Sequence, residues 1–218
     1  MTRDSRAWDA EYAAQGVPSS VRTKPSGALV GYLKRVAPPA PGCALDIGCG
    51  RGRNVRYLAE LGWAAVGLDY SDTAVRAARR SGVSCVRADA GAAWPFADDA
   101  FDLAVDAFCF KHLIEPSAVA AYARELRRVL RPGGAAMLSL APPEDGYYGA
   151  CPREADGSGR VVILDPKVGV RSVLYGEADI SEMFGGFSAT RIERREKPGD
   201  MHGRCYDRVT DVYRLVRF

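Results

Sequence analysis

The sequence predicts an α/β fold: a doubly wound, mostly parallel, seven-stranded sheet with helices on both faces. Three observations predict it. Apolar runs of strand length alternate with helix-period segments through residue 142, the pattern of parallel strands joined by crossover helices. The stretch ALDIGCGRGRN, Ala44 to Asn54, reads as a buried strand that ends in a glycine turn and feeds a helix. At 218 residues the chain has the length for one large core, so a single domain over 1–218 is expected.

The elements follow in order. Residues 1–25 are polar, with Trp8 and Tyr12 spaced i,i+4 so that a short helix would present both rings on one face. GALVGYLKRV from Gly27 reads as an amphipathic helix stopped by the proline-rich APPAPG. Residues 53–61 make the next helix, ended by Gly62. WAAVGLD is a second strand closed by Asp69, and Ser71 is the N-cap of the helix DTAVRAARR. SCVRAD is a third strand ending at Asp89, and FDLAVDAF a fourth carrying Asp102 and Asp106. A long helix over Glu115 to Leu130 ends in RPGG, and Ala135 to Leu140 is the fifth strand.

Residues 143–175 break the alternation, with VVILD and RSVLY as short strands around a DPKVG turn. Emerging after the fifth strand, they sit at the carboxyl edge of the sheet and are expected to be a substrate-side insert. A helix near Ala178 to Phe184 and closing strands near Ser188 to Glu196 and Arg208 to Arg217 complete the pattern. The segment GDMHG between those strands is expected to be a loop.

Bulk properties narrow the function classes. The formal charge is +3 with basic residues spread along the chain, which argues against a dedicated nucleic-acid binder. Only five of the 30 basic residues are Lys, a bias expected of a GC-rich bacterial genome. The six cysteines form no C-x-x-C pair and sit mostly in or beside apolar runs, a reduced, cytoplasmic pattern. No apolar run nears the length of a membrane span, and no membrane partner is expected.

The glycine turn decides the ligand class. A dinucleotide fingerprint would place its third glycine at position 53, which is Arg53, and a phosphate loop would end in Gly-Lys-Ser/Thr. The spacing is instead D-x-G-x-G-x-G through Asp46, Gly48, Gly50 and Gly52. Here the sequence resembles the class I S-adenosylmethionine-dependent methyltransferases of the small-molecule type, which share a Rossmann-like sheet. The resemblance covers about residues 40–142 with five motifs in order. It implies S-adenosylmethionine as cofactor, with S-adenosylhomocysteine as product. By it Asp46, Gly48, Gly50 and Gly52, with Asn54 at the helix start, would line the methionine end.

Asp69 closes the second strand nineteen residues past Gly50, where an acid accepts hydrogen bonds from ribose hydroxyls. Tyr70 would flank the adenine, and Asp89 with Ala90 matches the family position at the adenine amine. VDAFCFKH, with Asp106 and Phe108, matches the motif that lies under the cofactor and faces the methyl acceptor. In the family, residues 1–40 would form a helical lid; plain packing of Trp8 and Tyr12 is the competing reading.

Methyl transfer from a sulfonium is an in-line displacement, so positioning carries much of the catalysis. A general base is needed only where the acceptor keeps its proton at neutral pH. His112, just past the fourth strand, and His202, in DMHGR, are the candidate bases. Lys111 would attract an acidic substrate or be a solvated side chain. Tyr12, Tyr147 and Tyr148 are candidate acceptor contacts. No metal is expected, since the Asp and Asp-Asn constellation of metal-dependent relatives does not occur. APPE follows the fifth strand rather than the fourth, and no cysteine stands in a Pro-Cys context, so nucleic-acid methylation is not supported.

The reading is a methyl transfer to an oxygen or nitrogen atom of a small molecule, such as a natural product, by a monomer or homodimer. Two rivals stay open: methylation of a protein or RNA, and a non-catalytic cofactor-binding partner subunit.

Overall fold

Both faces of the central strands are covered, and this explains why they read as continuous apolar runs rather than alternating ones. In the computed structural model, which describes residues 3–14, 21–36, 41–154 and 160–218, five parallel strands form the first part of the sheet. They are β1 (Cys43–Ile47), β2 (Ala64–Asp69), β3 (Cys85–Arg87), β4 (Phe101–Ala107) and β5 (Leu130–Leu140). The helices between them are α3 (Arg53–Glu60), α4 (Asp72–Arg80) and α5 (Pro116–Val129), preceded in the chain by α1 (Arg3–Ala14) and α2 (Gly27–Val36). A separate antiparallel sheet, β6 (Arg153–Glu154), β7 (Val161–Asp165) and β8 (Val170–Leu174), interrupts the pattern. Helix α6 (Glu177–Met183) then leads into β9 (Phe187–Met201) and β10 (Arg204–Arg217).

The seven-stranded sheet runs in the order β3-β2-β1-β4-β5-β10-β9, and β10 is antiparallel to both its neighbours. Alternation along β4 sends Leu103 and Val105 to one face and Ala104 to the other. On the first face α2 adds Ala28, Leu29 and Tyr32 to a cluster with Leu58 and Trp63. On the second, Tyr122, Leu126 and Val129 of α5 meet Ile180 of α6 and Tyr213 of β10. The doubly wound, seven-stranded architecture expected from the sequence is the one observed.

Two local expectations change. The GDMHG segment is not a loop: the β9–β10 ladder continues through Gly199 and Asp200 to Met201, which pairs with Arg204. Only His202 and Gly203 turn, both with positive φ (55° and 79°), the type I′ pattern that suits the twist of a hairpin. Pro198 is tolerated inside β9 because that strand is the sheet edge and has a free N–H side. The third strand ends at Arg87, and Asp89 lies two residues beyond it in a turn, accepting from the Gly91 N–H at 2.8 Å. Ser71 caps α4 as expected, accepting from Ala74 N at 3.1 Å.

Phe110 anchors the second core. It is fully buried, with ring centroids 4.8 Å from Tyr122, 5.1 Å from Tyr175 and 5.2 Å from Phe184. These partners come from α5, the end of β8 and the end of α6, so one ring ties the insert to the sheet. Phe110→Ala is expected to cost about 3–5 kcal/mol, read as a lower urea midpoint at unchanged m-value.

Candidate active site

The carboxyl edge of the sheet carries buried acids, of which Asp69 and Asp106 are held by backbone donors and Asp46 by a side-chain amide. Asp69 ends β2, where its Oδ2 accepts from the Gly50 N–H at 2.8 Å and its Oδ1 from the Ser71 N–H at 2.9 Å. One carboxylate therefore ties the glycine turn to the start of α4. Gly48 and Gly50 need their glycines: φ is 67° and 55°, and a Cβ would meet Cys109 Sγ at 2.7 Å and Tyr12 Oη at 2.4 Å. Asp46 is buried within β1, its Oδ1 accepting from Asn54 Nδ2 at 3.2 Å, while its Oδ2 has no partner among the described residues. Asn54 in turn accepts from the Ser26 N–H at 2.9 Å and so joins the approach to α2 to the turn. Burial pushes the Asp46 carboxyl up to about 7 against the Asn54 bond, and the Asp69 carboxyl up to about 6 against its backbone bonds from Ser71, Gly50 and Tyr70.

Helix α1 lies across this edge. Asp9 accepts from Ser71 Oγ at 2.6 Å and from the Thr73 N–H at 3.2 Å, so it adds a second cap to α4. Tyr12 is buried over Gly50, and its backbone carbonyl accepts from Arg51 Nη2 at 3.0 Å. Trp8 reaches the other side, edge-on to His112 with ring centroids 5.1 Å apart.

The exit of β4 is shaped by Asp106. Its Oδ1 accepts from Cys109 N at 2.8 Å, and its Oδ2 from Phe110 N at 2.9 Å and Tyr122 Oη at 2.8 Å. Burial raises this carboxyl to about 7, although all three bonds oppose the shift. The turn places Phe108 at φ 74°, a costly conformation for a bulky residue that the Asp106 bonds hold. It also sends Phe110 into the core and presents Lys111 and His112 on the opposite side.

Lys111 is 1% exposed, and its Nζ has no hydrogen-bond partner among the described residues. The amine sits 3.4 Å from the centroid of the Tyr148 ring. Burial pulls it down to about 7, with Arg208 adding to that and Asp165 and Asp145 opposing it. His112 is half-buried, with Nδ1 3.0 Å from the Arg171 carbonyl and 3.1 Å from Ser172 Oγ. Burial and then the charge on Lys111 push its imidazole down to about 3, so it is neutral at physiological pH.

A single cavity of about 1040 Å³ joins these parts. One half is bounded by the glycine turn, Asp69 and Tyr70, with Asp89 and Ala90 beyond them. The other half is bounded by Phe108, Lys111, His112 and Tyr148 and by residues the sequence analysis did not single out. Those are Arg171 and Ser172 from β8, Lys197 to Met201 from β9, and Arg208 from β10. Trp8, Tyr12 and Asn54 also line it, whereas Asp46, Gly52, Asp106, Tyr147 and His202 do not. Gly52 is needed for packing, since a Cβ there would meet Val83 at 2.5 Å. Asp106 acts through the turn it holds. Tyr147 donates from its hydroxyl to Asp165 at 2.8 Å, and His202 lies on the hairpin turn beside it, with ring centroids 5.7 Å apart. The insert and hairpin residues carried no motif that would have found them.

The model of a methyltransferase domain family matches residues 44–134. Over that stretch, less than half of the chain, the sequence is similar to a methyltransferase domain. Two Mycobacterium leprae proteins described as uncharacterized methyltransferases are 34% identical to this chain over 107 residues. The match covers 47% of this chain, which thus spans 38% of the length of those curated relatives. In structure, the chain is similar to a protein solved in work on the conversion of a disulfide bond into a thioacetal group during echinomycin biosynthesis. That match has TM-score 0.72 and 24% identity and covers 98% of this chain and 92% of the other. Burkholderia thailandensis 1,6-didemethyltoxoflavin-N1-methyltransferase, solved with its acceptor and S-adenosylhomocysteine, matches at TM-score 0.69 and 19% identity, over 98% and 86% of the two chains. The last two likenesses show the fold.

S-adenosylmethionine is the cofactor of methyltransferases to which this chain is similar in fold, and the residues at the cavity fit it. Gly48, Gly50 and Asp69 line the cavity, Cys109 and Tyr12 pack against the two glycines, and Asp46 Oδ2 has no hydrogen-bond partner among the described residues.

The buried lysine yields a stability test. Its amine loses its proton near pH 7 in the folded chain and near about 10.4 when unfolded. The unfolded state therefore holds the extra proton between those values, and this residue makes stability rise with pH across that window. Lys111→Met removes the cost. Urea unfolding is expected to show a gain on the order of 4 kcal/mol at most, largest below pH 7 and vanishing above about pH 10.

Proposed function

We propose that the chain transfers a methyl group from S-adenosylmethionine to an oxygen or nitrogen atom of a small molecule. The observation that carries this reading is the single cavity that continues from the glycine turn to the insert and hairpin walls. At about 1040 Å³ it lies at the top of the range for one-ligand pockets, roughly 300–1,000 Å³, leaving room for a second ligand beside the cofactor. The Burkholderia enzyme, which holds 1,6-didemethyltoxoflavin, supports a small acceptor by analogy of fold.

In this reading the chain is one domain, with residues 1–40 as the lid and residues 143–175 as the substrate-side insert. Parts of both segments (1, 2, 15–20, 37–40 and 155–159) lie outside the described residues. Helix α1 is the roof: it is pinned to the cofactor half by Asp9 and Tyr12 and to the acceptor half by Trp8. Asp69 holds the ribose hydroxyls, the glycine turn admits the methionine end, and Tyr70, Asp89 and Ala90 surround the adenine. The cofactor supplies an activated methyl group. The protein excludes water with α1 and aligns the acceptor with Phe108, Tyr148 and the neutral ring of His112.

Two results are expected. Calorimetric titration should show micromolar binding of S-adenosylhomocysteine, weakened at least about tenfold in Asp69→Ala through loss of charge-assisted bonds. Because Asp69 is protonated below about pH 6 in the free chain, and only the ionised form accepts from both hydroxyls, affinity should fall as pH drops below that value. A folded wild type that binds neither S-adenosylmethionine nor S-adenosylhomocysteine would overturn the reading. Acceptor binding that weakens steeply with added salt would point to RNA instead.

A further inference from the structure

We propose that Lys111 is the general base of the acceptor half: its amine takes the proton of an O–H or N–H group on a planar, acidic acceptor (a phenol, an enol or an N–H heteroaromatic). The inference rests on the methyltransferase reading above and names the chemistry of that site's second ligand.

Lys111 is buried, lines the cavity and has no hydrogen-bond partner among the described residues. The carboxylates nearest to it are already engaged. Asp165 accepts from Tyr147 Oη and Lys167 N through its Oδ1. Asp145 accepts from Tyr147 N, Tyr148 N, Val209 N and the Arg208 guanidinium. An amine that is neither solvated nor paired is costly unless a ligand completes it. The Tyr148 ring at 3.4 Å and the Phe108 ring at 5.6 Å border the amine and give a flat acceptor two aromatic contacts.

Charges face the amine from every side of this half. Asp165 ends β7, Asp145 precedes the Tyr148 turn, Arg208 stands on β10, Cys151 follows the turn, and His112 is its neighbour in the chain. Burial outweighs their sum, so an amine near 7 is partly neutral at physiological pH and suited to proton removal. The imidazole of His112, near 3, is poorly matched to that task.

The step balances. The acceptor's O–H or N–H bond breaks, its electron pair stays on the heteroatom, and a new N–H bond makes Lys111 an ammonium. The pair on the heteroatom bonds to the methyl carbon of the cofactor as the carbon–sulfur bond breaks and its pair goes to sulfur. The ammonium returns its proton to solvent after product leaves, so one proton is released per methyl transferred.

The test uses the full chain saturated with S-adenosylhomocysteine. It is titrated calorimetrically with 4-nitrophenol, 4-hydroxybenzoate and lumazine, and with the O- or N-methylated form of each. At least one protic probe should bind more than about tenfold tighter than its methylated form, because the latter leaves the amine unsatisfied. Lys111→Met should abolish that preference while leaving S-adenosylhomocysteine affinity unchanged. With S-adenosylmethionine, methylation of that probe should rise with pH through about 7 in wild type. Lys111→Met should lose at least about 100-fold in rate together with that rise. Lys111→Gln is the second variant should the first not fold, and propylamine should restore turnover to Lys111→Ala. Equal binding of every pair, or a preference that survives in both variants, overturns the proposal. Failure of S-adenosylhomocysteine to bind the folded wild type would instead overturn the methyltransferase reading on which it rests.

Discussion

The carboxylate of Asp106 organises the molecule. Taking bonds from Cys109 N, Phe110 N and Tyr122 Oη, it turns the chain sharply at the end of β4 and stitches that turn to α5. Everything on the acceptor side follows from the resulting directions. Phe110 goes down into the aromatic cluster that receives the insert, and its neighbours Lys111 and His112 go the other way, into the cavity. A carboxyl raised to about 7 by burial is an expensive device, kept because three donors converge on it and no neutral side chain of that size offers as many acceptor sites.

Electrostatically the cavity has two unlike ends. Buried acids, Asp46 and Asp69, surround the glycine turn, and desolvation raises both carboxyls above their ordinary range, Asp46 to about 7 and Asp69 to about 6. The far end carries Lys111, Arg171, Lys197 and Arg208, with Asp165 and Asp200 the acids at its wall. Under the proposed function a cationic cofactor would be drawn to one end and an electron-rich acceptor to the other. Binding of each changes the protonation cost at its own end, so the two halves respond to pH through different groups.

Much of this was legible in the sequence because it is local. Strand–helix alternation, the Ser71 cap and the spacing of Gly48, Gly50 and Asp69 are properties of short windows, and each appears in the structure as expected. The β9–β10 turn was not legible: Gly199, Asp200 and Gly203 have turn composition, but the ladder's register carries the strands past the first two. Lys111 shows the deeper limit. A lysine beside a histidine and four residues before the helix cap Glu115 reads as solvated, and distant residues such as Tyr148, Asp165 and Arg208, 37 to 97 positions away, enclose it. Burial imposed by distant elements leaves no mark on the window around the buried residue.

The placement of β10 between β5 and β9 bears on how the chain comes together. Until residues beyond 204 pair with β5, that strand is an uncovered apolar edge of an otherwise formed parallel sheet. Synthesis delivers the segment through residue 140 first, so the cradle around Asp69 exists before its opposite wall. Pairings of such long sequence separation are slow to form. The hairpin that walls the acceptor half is therefore also the guard that removes a sticky edge, and lesions in it would be felt as aggregation during biogenesis before they were felt in catalysis.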